Sequence, residues 1–238
     1  MKTSAVRGAA MTAAIVVSFC SIARADLVGT SLVDLGGTGF GNVTSLLGEH
    51  GSNQDPTETG GISWNGSAFV GSGGTIQCCS GPASQVVSIG SLGWTSGANV
   101  GLVVNFNTAG AQSGPVSLTD LTLALYNPTT HTAVTSFSLD HPYTFTEAQV
   151  AQGTGQAGWL FTLNAAEQAI FNGLAADQNL LAVTTSATFT NPTGGPENIF
   201  ALNAAAVPGP IVGAGLPGLI AGCLGLLALA RRRRARVA

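Results

Sequence analysis

Few residues in this 238-residue chain have the types and spacing for chemistry. Gly153-Thr-Gly155-Gln-Ala-Gly158 matches G-x-G-x-x-G letter for letter. A dinucleotide site needs a strand before that motif and a helix after it, so that phosphate meets a helix N-terminus. Here a capped helical turn precedes it and a strand follows, so the motif predicts a turn and no cofactor. Gly36-Gly-Thr-Gly-Phe-Gly41 lacks the Lys-Ser/Thr of a phosphate loop and also predicts a turn. There is no G-x-S-x-G and no Asp-x-Asp-x-Asp loop, and His50, His131 and His141 are isolated from one another. No catalytic residue and no metal ligand is therefore assigned, and the three histidines are expected in surface loops.

Cys78 and Cys79 are adjacent, and the other two cysteines, Cys20 and Cys223, lie in apolar terminal segments. Outside the cytosol this pair should be oxidised. A bond between neighbouring residues strains the backbone, which makes it more reducible. The pair reads first as a structural disulfide, within the loop or between molecules, and second as a redox or metal site. Trp64, Trp94 and Trp159 read either as core or as a sugar-stacking platform.

The elements that would position these residues are mostly strands. Val116 to Tyr126 alternates apolar and polar residues, Asn127-Pro-Thr-Thr-His131 makes a turn, and Ala133 to Leu139 returns. Further strands are expected at Val100–Asn107, Gly158–Leu163, Leu180–Phe189 and Asn198–Asn203, with weaker signals at Leu27–Leu35, Gly61–Phe69 and Gln85–Ile89. Asn164-Ala-Ala-Glu167 has capping-box spacing and opens a helix, Ala165 to Ala176, with Ile170 and Leu174 on one face. Thr146 to Gln149 has the same spacing and opens a shorter turn. Many short strands, Gly/Pro turns and little helix predict a mainly β fold: a single jelly-roll-like β-sandwich with one or two short helices. It should occupy residues 26–206, roughly 180 residues, enough for one core.

The charges are partitioned along the chain. Lys2, Arg7 and Arg24 lie at one end and Arg231, Arg232, Arg233, Arg234 and Arg236 at the other, and no Lys or Arg lies between Arg24 and Arg231. All 11 acidic residues fall between Asp26 and Glu197, so that body carries a formal charge of −11 with neutral histidines. Phosphate affinity comes from Lys and Arg, so nucleic-acid binding is excluded. The carboxylates predict a solvated acidic surface. At the N-terminus, the basic start, the apolar run Gly8–Ile22 and Ala23-Arg24-Ala25 have the form of a secretory signal peptide over residues 1–25, cleaved before Asp26 by signal peptidase after export. At the C-terminus, Ile211 to Ala230 is twenty residues with no charged or hydrogen-bonding side chain apart from the thiol of Cys223. At about 1.5 Å per residue a helix of that length spans one hydrocarbon core. The arginines behind it would stay cytoplasmic.

The order Pro208-Gly209-Pro210, apolar span, Arg231 to Arg236, chain end resembles the PEP-CTERM sorting signal of exported Gram-negative bacterial proteins. The family's usual motif is Pro-Glu-Pro; with Gly209 in the middle, this chain resembles a variant form of it. The resemblance covers residues 207–238 and is silent on the body's fold. It implies an exosortase-like processing enzyme as partner, a transient or permanent hold in the membrane, and delivery to the cell surface or beyond. The expectation is thus a non-enzymatic, exported structural or interaction protein of the envelope or extracellular matrix, with no cofactor. The alternatives are a surface-displayed module that binds polysaccharide and, third, a secreted hydrolase, which would need acidic residues converging in a cleft.

Overall fold

Strand-forming residues bounded by turn chemistry dominate the chain, and they fold accordingly. In the computed structural model, twelve strands and one α-helix are found among the described residues, which are 26–34, 43–49, 57–73, 76, 84–106, 115–146, 157–191 and 197–206. The strands are β1 (Asp26–Asp34), β2 (Thr44–Glu49), β3 (Thr57–Trp64), β4 (Phe69–Ser72), β5 (Val87–Ser88), β6 (Val100–Asn105), β7 (Val116–Tyr126), β8 (Ala133–Leu139), β9 (Tyr143–Phe145), β10 (Ala157–Leu163), β11 (Leu181–Thr190) and β12 (Glu197–Asn203). The helix α1 is Ala165–Leu174. Strands make up 60% of the described residues, so the fold is mainly β, as the alternation predicts. None of the described helices is long and apolar enough to cross a membrane.

The strands form one curled sheet in the order β2-β12-β6-β10-β1-β8-β7-β11-β3-β4. Neighbours pair antiparallel except β1 and β8, which pair parallel through only Asp26 with Ser138 and Leu27 with Leu139. This narrow junction divides the path into halves of five strands. The curl brings β2, at one edge, against β3 and β11 near the other. Between the halves lies the core, with Leu102, Val104, Leu118, Leu121, Phe137, Phe161, Phe171 and Phe189 among its buried side chains. Every residue of β6 is buried, because its outer face is covered too: Val103 joins Val33, Leu160 and Leu202 in a second apolar cluster.

Several expectations need correcting. The expected strand Gly61–Phe69 is two strands in a hairpin. Asn65 breaks it: its Oδ1 accepts hydrogen bonds from the backbone N–H of Ser67 and Ala68, both at 2.9 Å, and Gly66 takes φ 100°. A short polar side chain that mimics a backbone turn outcompetes the ladder there. Gln85–Ile89 shrinks to the two-residue β5, while β2 and β9 form where no strand was expected. On α1 the cap is as predicted. Asn164 Oδ1 accepts from the N–H of Ala166 and Glu167, and Glu167 Oε2 accepts from the N–H of Asn164 at 3.0 Å. The buried face, however, carries Glu167 and Phe171, and Ile170 is 42% exposed. The helix also ends two residues early, at Leu174. The second expected helical turn begins at Thr146, beyond which residues 147–156 lie outside the described ones.

Candidate functional site

The residues with unusual chemistry are glutamates that the curl brings together. Glu49 ends β2 and pairs directly with Glu197, which opens β12. Residues opposite each other on an antiparallel pair share a face, with Cβ atoms about 5 Å apart. Glu58 belongs to β3, on the other side of the core, where Glu58 and Ile62 alternate inward with exposed Thr57 and Thr59. Two local features let the seam close. Gly60 has no side chain, and a methyl there would run into Ile76, whose residue forms an isolated bridge with Glu49. Beside it, a methyl on Gly61 would overlap the carbonyl of Thr185.

All three carboxyls are inside: Glu49 is 1% exposed, Glu58 4% and Glu197 0%. The carboxyls of Glu58 and Glu197 lie close enough for a proton to bridge them. Neither oxygen of Glu49 or of Glu197 completes a hydrogen bond of ordinary geometry. Burial pushes the Glu49 carboxyl up to about 8, reinforced by the charges of Glu58 and Asp120. Burial pushes Glu197 up to about 10, with further upward contributions from the Glu58 hydrogen bond and the charges of Glu58 and Glu49, against its own backbone N–H. At neutral pH both are therefore uncharged acids. The cause can be read from the composition: with no Lys or Arg between Arg24 and Arg231, burial must be met by protonation rather than by an ion pair.

The expectation of a solvated acidic surface is corrected for the glutamates, while Asp140 and Asp177 are exposed as it predicts. Every glutamate among the described residues, Glu49, Glu58, Glu167 and Glu197, is buried. Two carboxyls that share protons are the raw material of acid–base hydrolysis. Carboxyls this deeply buried offer a substrate no approach. Among the described residues, no group of three His, Cys, Asp or Glu has the geometry to hold a metal ion.

The opposite end of the molecule is aromatic and uncharged in character. His131, in the β7–β8 turn at φ 53°, stacks on Trp64 with ring centroids 3.8 Å apart and planes 7° apart. Phe69 packs edge-on against Trp64 and against Tyr126. The outer face of β3, β11, β7, β9 and β8 carries rows of hydroxyls. One row runs Thr57, Thr190, Ser117, Thr144 across four strands. Hydrogen bonds link Ser117 to Thr144 at 2.9 Å, Thr59 to Thr188 at 2.9 Å and Thr122 to Ser138 at 3.1 Å.

The three tryptophans do not meet. Trp94 is fully buried and donates Nε1–H to the Leu202 carbonyl at 2.8 Å, Trp159 packs beside Phe145, and Trp64 holds the hairpin through His131. His141 is exposed beside Asp140, at 2.9 Å, as a surface-loop histidine would be, whereas His131 is half-buried in its stack. Of the residues singled out in the sequence, Asp26 opens β1. Ala23 and Ala25, Cys78 and Cys79, His50, Pro208, Gly209 and Pro210, the apolar span and Arg231 to Arg236 lie outside the described residues. The glutamate cluster was missed. Its one sequence signal was the presence of carboxylates in a body that contains no Lys or Arg. Comparison with protein families, curated proteins and solved structures finds no match to this chain.

Proposed function

We propose that the chain is an exported, surface-sorted structural or interaction protein of the bacterial envelope or extracellular matrix. The observation that carries this is the charge partition: every Lys and Arg lies in the first 24 or the last eight residues. Positive flanks of apolar segments stay cytoplasmic, so a body without them can be exported whole. In this reading signal peptidase releases Asp26, Ile211 to Ala230 halts in the membrane, and Arg231, Arg232, Arg233, Arg234 and Arg236 hold the tail inside. An exosortase-like enzyme then acts at Pro208-Gly209-Pro210. The arginines are a temporary stop, because moving each one through the hydrocarbon costs about 2.5 kcal/mol or more.

The body's architecture in this reading is a jelly-roll-like sandwich. The narrow β1–β8 junction supports it, since it leaves two five-strand halves facing each other across one core. A second reading, a polysaccharide-binding module, draws on the hydroxyl rows, whose strand spacing of about 4.8 Å sets out neutral donors and acceptors in a flat array. The first reading is tested by the intact mass and location of the mature protein in a host that carries the processing enzyme. Mass consistent with a start at Asp26 and loss of the arginine tail is expected. A surface form that keeps the tail would replace sorting by permanent anchoring. For the second reading, retention on neutral polysaccharide beads that is lost when Thr59, Thr122 and Ser138 are changed to Val would separate a binding module from a purely structural protein.

A further inference from the structure

The closure between β2 and β3 differs from every other join in the sheet. Among the described residues, β2 ends the path and is laddered only to β12. Among the same residues no ladder joins it to β3, although the two lie close together, and the bridge on that side joins Glu49 to Ile76. Beside Ile76, acids stand in the seam. Glu49 is faced by Glu197 from β12, Glu58 from β3 and Asp120 from β7. Glu197 is faced by Glu58 and Glu49. The β11 residue registered with Glu58 is the buried Phe189, which carries no charge. His50 lies outside the described residues, and no Lys or Arg exists between Arg24 and Arg231 to answer a negative charge.

We infer that Glu49 and Glu197, packed against Glu58, form a proton-held latch: while these two carry their protons β2 stays closed onto β3, and losing them opens that end of the sheet. The inference is independent of how the protein is sorted. It goes beyond the sorting reading by giving the body a response to its surroundings. Ionising Glu49 or Glu197 places a charge inside the core with no cation beside it, and ionising both adds repulsion at the cross-strand distance. The ladders of β6, β10 and β12 do not depend on these side chains, so the opening is confined to the seam. Because the acids interact, the latch titrates as one unit and not residue by residue.

The test is a short hydrogen-exchange pulse on the full chain at about pH 6 and about pH 9.5, with pulse lengths matched to intrinsic exchange rates. In the wild type, protection of Leu46, Leu47 and Gly48 should fall at the higher pH by about tenfold or more beyond any fall at Leu123 and Val183 in the β7–β11 centre. Glu197→Gln and Glu49→Gln keep the shape of the acid without its ionisation, and each should abolish most of the loss. An equal loss in both regions would make the effect global and overturn the latch, as would an undiminished loss in both variants. If neither variant folds at about pH 6, where the native acids are themselves neutral, the latch is overturned as well.

Discussion

Glu167 and Glu197 are both 0% exposed, and they are buried in opposite ways. Glu167 sits at the helix end, where its Oε2 accepts from the N–H of Asn164, three residues away, while its Oε1 makes no hydrogen bond. Other polar groups there are matched too: Trp94 Nε1–H to Leu202, Asn99 to Asn203, and Asn203 to the Gly93 carbonyl. At the carboxylate end, the side chains facing Glu197 are the acids Glu58 and Glu49, and neither of its oxygens completes a hydrogen bond of ordinary geometry. The indole and asparagine hydrogen bonds of one end carry no titratable group, although burial also pushes the Glu167 carboxyl up there, whereas the other end is held by protons that the solvent can take away.

The largest expected consequence is a stability that falls with alkalinity. The folded-state pKa values of Glu49 and Glu197 are raised above the ordinary 4.5, so the native state holds protons that the unfolded chain releases. The stabilisation is fully present below about pH 4.5 and is lost as pH rises toward about 8 for Glu49 and about 10 for Glu197. The slope is about 1.4 kcal/mol per pH unit for each group. Urea midpoints should therefore fall steadily between about pH 6 and pH 8. Flat midpoints would remove the distinction between the two ends.

Changing both acids to glutamine should flatten that slope and leave the double variant more stable than wild type above about pH 8, which pH-dependent melting would read directly. At the helix end, Trp94→Phe leaves the buried Leu202 carbonyl without its indole donor. It should cost about 2 kcal/mol at every pH. A pH-dependent cost would mean the two ends are coupled. Asn164→Ala removes the cap of α1 and should cost about 1 kcal/mol in chemical denaturation. The smallest effect is expected on the hydroxyl face, where Thr122→Val should shift stability by no more than about 0.5 kcal/mol. A larger loss would mean that the hydroxyl rows hold the sheet and do not merely coat it.

The local parts of both ends could be read in advance. The alternation of Val116 to Tyr126, the Asn127 turn and the Asn164 cap each depend on residues within a few positions of one another, and each formed where the spacing placed it. The failures also have local causes. Asn65 turned an expected strand into a hairpin, and Ile170 lost the inward face of α1 to Phe171, because packing against the sheet chose a stripe that spacing alone left undecided. β2 and β9 gave too little alternation to stand out, and they pair only because β12 and β7 offer open edges.

The sequence by itself determined that the body would be mainly β and free of fixed positive charge, because strand periodicity and composition are properties of the chain in order. It also determined that any acid taken inside would lack a Lys or Arg partner. Only the tertiary structure decided which acids went inside. Glu197 lies far along the chain from Glu49 and Glu58, and nothing near any of the three in sequence marks it as buried. They meet because the sheet curls until β2 and β12 face β3, and that curl is set by the summed register and twist of ten strands in the path. A carboxyl's charge depends on the solvent it loses, and that loss is fixed only when the two edges of the sheet come together.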